Sequence, residues 1–171
     1  MQRRDFCKLM AVSAAMKAVG VASASEGTGP YVPVTDPLVV RKLDEWQDRK
    51  FGFMMHWGAY SQWGVVESWS ICSEDWIKRP AGTSYVDYKS KYEALPKTFN
   101  PIGFDPDVWA SVAADAGMKY VVFTTKHHDG FSMFDTKETD YRITAPDVPF
   151  HINPRANIAK EVFAAFRKQS F

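Results

Sequence analysis

The sequence predicts an α/β domain on a parallel sheet, and three observations carry that expectation. Phe51-Gly52-Phe53-Met54-Met55-His56-Trp57 is a nearly unbroken apolar run between a charged segment and Gly58, which suits a buried parallel strand covered on both faces. Tyr120-Val121-Val122-Phe123-Thr124-Thr125-Lys126 is β-branched and aromatic, and it is bounded by turn formers. Helical stretches alternate with them in the order strand, long loop, helix, strand, loop, helix, which argues for right-handed βαβ units.

The chain opens with an address. Arg3-Arg4-Asp5-Phe6-Cys7-Lys8 has the pattern of a twin-arginine export motif, and a weakly apolar stretch follows from Leu9 to Ala24. Ala22-Ser23-Ala24 supplies the small-x-small pattern of a cleavage site, so residues 1–24 are expected to be a signal segment and the mature protein periplasmic or extracellular. Lys17 interrupts the stretch, which is too short to read as a membrane-spanning helix, and no stable membrane insertion is expected. Residues 25–37, with Gly27, Gly29, Pro30, Pro33 and Pro37, read as a flexible lead-in.

The remaining elements follow in order. Leu38 to Lys50 suits a short amphipathic helix presenting Leu38, Val39, Leu43 and Trp46. Ala59 to Pro106 is long and irregular, with a short helix around Val86 to Glu93; loops of that length in a compact domain are usually functional. Asp105-Pro106 reads as an N-cap followed by proline at the first helical position. Val108, Trp109, Val112, Ala113 and Ala116 form the apolar stripe of that helix, and Gly117 stops it. A second helix starts near Asn153-Pro154 and buries Ile158, Val162, Phe163 and Phe166.

Composition narrows the function. With 21 Lys plus Arg against 20 Asp plus Glu, the chain has no electrostatic footprint for nucleic acid. Cys72 is left alone once the leader is set aside, which excludes an internal disulfide and a cysteine-based zinc site. Six Trp, seven Tyr and twelve Phe are enough to fill a core and also to line a sugar site, where aromatic rings meet the apolar faces of a pyranose. Three of the four histidines close the two strands: His56 in His56-Trp57-Gly58, and His127 and His128 in Lys126-His127-His128-Asp129-Gly130-Phe131. That edge of a parallel sheet is where ligands bind. Neutral imidazole offers one donor and one acceptor, which suits a sugar hydroxyl. Neighbours on a strand face opposite ways, so either the strand has ended by His127 or one of the pair has a supporting role. A metal site made by the three histidines with Asp129 is the rival chemistry, disfavoured because no i,i+4 histidine pair is present.

At these residues the sequence resembles glycoside hydrolase family 29, the α-L-fucosidases. The resemblance lies in Lys50 to Gly58 with Tyr60-Ser61, in Phe104 to Trp109, in Ala116 to Val122, and in Thr125 to Phe131. It covers roughly Leu38 to Arg167 and implies a partial (β/α)₈ barrel, the first two βα units only, over residues 38–171. It also implies a retaining exo-glycosidase that acts on terminal α-L-fucosyl linkages of a glycan, without a cofactor. The substrate-binding residues it implies are His56, His127, His128, Glu67 and Trp69. In the family the last two form a Glu-Trp step; here Ser68 stands between them, and Glu74-Asp75-Trp76 is a competing match. The family's nucleophile and acid/base carboxylates match no position in these residues, so the 171-residue chain is expected to be catalytically incomplete, or a fucose-binding remnant without catalysis. The Arg-Asp that the family usually carries before the second helix is replaced by His151-Ile152-Asn153-Pro154-Arg155-Ala156-Asn157.

Overall fold

A computed structural model describes residues 32–73 and 79–171. The expected signal segment 1–24, residues 25–31 of the lead-in, and the competing Glu74-Asp75-Trp76 lie outside the described residues. Contacts divide the chain into two units, Met1–Arg41 and Lys42–Phe171. Helix α1 (Pro37–Asp48) runs through that boundary in sequence, and at its start Asp36 Oδ1 accepts the Leu38 N–H at 2.8 Å. Among the described residues none of α1 is buried, and of the expected apolar face Trp46 meets the Tyr120 ring at 6.0 Å.

The second unit holds strand β1 (Phe53–Met55), helix α2 (Tyr85–Glu93), helix α3 (Pro106–Asp115), strand β2 (Val121–Phe123) and helix α4 (Ile158–Lys168). Short 3-10 turns, Ala59–Gln62, Glu67–Ile71, Leu95–Thr98 and Pro149–Ile152, punctuate the loops. The strands pair in parallel with Phe53 opposite Val121, Met54 opposite Val122 and Met55 opposite Phe123. The α/β expectation is therefore met, with strands shorter than the apolar runs that announced them.

Period-two alternation sorts the two faces of this sheet. Phe53 stacks on Phe166 of α4 at 5.6 Å, and Phe123 meets Phe163 of the same helix at 6.5 Å. On the other face Met54 is 66% exposed and Val122 37%. Burial on both faces, expected from the apolar run, is thus corrected: among the described residues one face is covered and the other stands open. Gly52 lies close under Tyr120 just before β1: a Cβ there would lie 2.3 Å from the ring, which would have to shift.

Capping follows the sequence signals. Asp105 accepts from the backbone N–H of Asp107 and Val108, with Pro106 opening α3, and Gly117 ends the turn at φ +81°. The apolar stripe of α3 needs correction. Its buried residues are Pro106, Ala110 and Ala113, whereas Val108 and Val112 are exposed, because α3 turns its small residues to its neighbours. Helix α4 starts later than Asn153-Pro154: Asn157 caps it by accepting from Lys160 N–H. Ile158, Val162 and Phe166 are fully buried, as the pattern demands, and Phe163 is half-buried.

Asp107 clamps α3 to the chain around α4, taking Lys168 Nζ at 2.9 Å and Arg155 Nη2 at 3.0 Å. The Lys168 hydrogen bond first, then the charges of Lys168 and Arg155, hold the Asp107 carboxyl below its ordinary value. A carboxyl lowered by folding stabilises above its unfolded pKa, and that contribution is lost as pH falls through the lower folded value. The expected outcome is a modest acid-side loss of stability that Asp107→Asn flattens. Urea midpoints measured across the acid range check it, and identical profiles for the two proteins would contradict it.

Candidate functional site

The site grows from the alternation in β1. Trp57, one residue past His56, enters the apolar side and packs on Phe104 at 5.6 Å, Trp109 at 5.3 Å and Phe99 at 5.8 Å. His56 therefore emerges on the opposite, open side. After β2 the chain leaves regular strand at Thr124, so His127 and His128 sit on a turn and not in a ladder. That resolves the alternative left by the sequence: the strand has ended, and the two rings lie edge to face at 5.0 Å.

Glu67 joins the two strand ends. The His56 Nδ1–H donates to Glu67 Oε1 at 2.7 Å, and the His127 Nε2–H donates to Glu67 Oε2 at 2.9 Å. The His56 and His127 ring centroids are 5.7 Å apart. The His127 side chain is 7% exposed, against 39% for His56. His127 uses its other nitrogen as well, Nδ1 accepting from the Ser68 hydroxyl. These bonds assign the tautomers: an ionised carboxylate only accepts, so His56 carries its proton on Nδ1 and His127 on Nε2. His56 Nε2 is then an acceptor on the open side.

The backbone of Glu67 sits at φ 53°, a left-handed conformation that a non-glycine residue adopts at a cost of roughly 1–3 kcal/mol. Glu67 opens the 3-10 turn Glu67–Ile71, which aims Glu67 and Ser68 together at His127. Trp69 in the same turn is 41% exposed and lies 5.1 Å from the His128 ring. Ser68, which interrupts the family's Glu-Trp step, is thus itself an orienting residue. All five residues named from the sequence, His56, Glu67, Trp69, His127 and His128, meet in one place. An open cleft of about 500 Å³ lies there, lined by His56, Thr124, Lys126, His127, His128 and Gly130.

Asp129 plays no part in the cleft wall. Its Oδ1 accepts the Phe131 N–H at 3.0 Å and its Oδ2 accepts the Tyr92 hydroxyl at 2.7 Å. It closes the turn that carries the histidines and ties it to α2. Burial first, then the bond to Asp129, pushes the Tyr92 phenol far above its ordinary range, so it stays a protonated donor. Burial, followed by the charges of Glu67 and Asp129, does the same to Tyr60, whose ring lies 5.8 Å from His127. Among the described residues, the group able to hold a metal ion is His56, Glu67 and His127, with ligand atoms within 4.8 Å of one another. The metal set suggested by sequence, three histidines with Asp129, is therefore corrected: both Asp129 oxygens are taken, and Glu67 supplies the carboxylate.

The chain matches the family model for alpha-L-fucosidase over residues 18–171. It belongs to the alpha-L-fucosidase family. Tissue alpha-L-fucosidase of Mus musculus is 32% identical over 152 residues, covering 82% of this chain and 31% of the relative. Among solved structures, alpha-L-fucosidase isoenzyme 1 from Paenibacillus thiaminolyticus is 34% identical with a TM-score of 0.59, covering 77% of this chain and 27% of that one. Alpha-L-fucosidase AlfC from Lactobacillus casei, solved with its α-L-fucose product, is 30% identical with a TM-score of 0.54, covering 74% and 37%. The chain spans less than a third of the length of the Mus musculus relative, and likewise of the curated relatives from Branchiostoma floridae and Rattus norvegicus. The family membership agrees with the resemblance carried by the histidine motifs.

Proposed function

We propose that these residues form the fucose-binding wall of an exported α-L-fucosidase, with β1 and β2 the first two strands of a (β/α)₈ barrel. The parallel pairing supports the barrel reading, as does a sheet with helix on one face and an open face on the other. In such a barrel the open face, with Met54 and Val122, is turned to the axis, and binding residues gather at the C-terminal ends of the strands.

The observation that carries the functional reading is one carboxylate, Glu67, bridging imidazoles from both strand ends beside an exposed indole. His56 Nε2 and His128 offer partners to sugar hydroxyls, and the Trp69 ring offers an apolar face to the deoxy side of the pyranose. Hydrolysis with retention needs two carboxylates about 5–5.5 Å apart, one nucleophilic and one acid/base. Neither Glu67 nor Asp129 suits those roles, since the oxygens of both are engaged in hydrogen bonds that hold the site together. The 171-residue chain is expected to bind L-fucose in saturation-transfer NMR and to leave an aryl α-L-fucoside intact. A folded chain without a fucose signal, or with turnover, would sink this reading.

Export rests on Arg3 and Arg4. Replacing both by Lys is expected to hold the protein in the cytoplasm of a bacterium with a twin-arginine pathway. Unchanged delivery to the periplasm, measured by cell fractionation, would remove that part of the proposal.

A further inference from the structure

We infer that His56, Glu67 and His127 also form a zinc site, so that a borderline divalent cation and the sugar exclude one another. Two imidazoles and one carboxylate are a ligand set suited to zinc with a fourth position open to water. Here the three ligand atoms already converge within 4.8 Å. Bonds of about 2.0–2.2 Å would place tetrahedral ligands roughly 3.3–3.5 Å apart. The present contacts of 2.7 Å and 2.9 Å run to the two different oxygens of Glu67, so holding one ion takes a rotation of the Glu67 side chain and a closing of the ligand atoms, now within 4.8 Å of one another, to that spacing.

Proton accounting is also satisfied. Each imidazole now presents an N–H to Glu67, and coordination requires a lone pair at that nitrogen. A tautomer shift provides it without changing the charge of either ring: His56 moves its proton to Nε2 and His127 moves its proton to Nδ1. The new His127 Nδ1–H faces the Ser68 hydroxyl, which turns from donor to acceptor. An oxygen behind the distal nitrogen of a ligating histidine is the usual outer support of zinc sites. The Glu67 carboxylate already lies between the rings, held by both imidazoles. His56 is the more exposed of the two rings, which gives the ion an entry from the cleft.

The zinc site stands apart from the sugar reading, the exclusion rests on it, and the experiment separates the two. Zinc alone is titrated into the 171-residue chain carrying Cys7→Ser and Cys72→Ser, with a chromogenic chelator as competitor and near-UV circular dichroism to verify folding. Saturable binding of one zinc per chain is expected. Glu67→Gln and His56→Ala should each weaken it by at least about tenfold, and Ser68→Ala by about 10–100-fold. L-fucose should raise the apparent Kd for zinc. No saturable uptake by the folded chain, or equal uptake by all three variants, overturns the site. Simultaneous binding of zinc and fucose without mutual effect overturns their exclusion. Fucose binding is measured separately in EDTA: its absence there, with zinc binding intact, removes the sugar reading and leaves the zinc site standing.

Discussion

Glu67→Gln is expected to weaken L-fucose binding by about 30–150-fold, roughly 2–3 kcal/mol, with the fold retained. The substitution keeps the shape of the side chain and removes its charge. The glutamine amide would set an N–H₂ against one of the two imidazole N–H groups, so one ring must turn or change tautomer. Since His56 Nδ1 and His127 Nε2 both lean on this carboxylate, the loss reaches both strand ends at once. Isothermal titration with L-fucose measures it, and an affinity within threefold of the parent would show that Glu67 does not organise the site. Glu67→Asp, one methylene shorter, should recover little, because it cannot span both rings.

Tyr92→Phe is expected to destabilise the fold by about 1–3 kcal/mol while leaving the ring packing in place. Tyr92 is fully buried, and its hydroxyl is the donor from α2 to Asp129. Without it a carboxylate that is partly withdrawn from water loses one of its two recorded partners. The turn that carries His127 and His128 is closed by the other oxygen of Asp129, so fucose affinity should fall together with the urea midpoint. An unchanged midpoint would mean that water replaces the hydroxyl at no cost. A lowered midpoint with full affinity would show that the tie serves stability alone.

The legible parts of this molecule are those written in short range. Asp105-Pro106 and Gly117 delimit α3 because caps and left-handed stops act within one turn. The position of His56 and His127 at strand ends could be read from the apolar runs before them. What escaped was set by partners distant in sequence. Ser68 lies 59 residues from His127, and Tyr92 lies 37 from Asp129, and neither type of residue at those positions carries a signal of its own. Glu67 and Trp69 could be named only through the family resemblance, and periodicity gave no hint of them, since a 3-10 turn of five residues has no repeat to detect. The exposure of Val108 and Val112 teaches the same lesson from the other side. A helical stripe shows that an apolar face exists, without saying how much of it a neighbour covers.

The alternation at His56 and Trp57 also bears on how the chain must assemble. A slip of one residue in the pairing of Phe53–Met55 with Val121–Phe123 would drive an imidazole into the nest of Phe99, Phe104 and Trp109 and push an indole out into the cleft. Both errors are costly, and they occur together. These two residues, one facing the cleft and one in the core, therefore penalise misaligned chains during folding, a form of structural proofreading for strands whose partners are almost seventy residues apart.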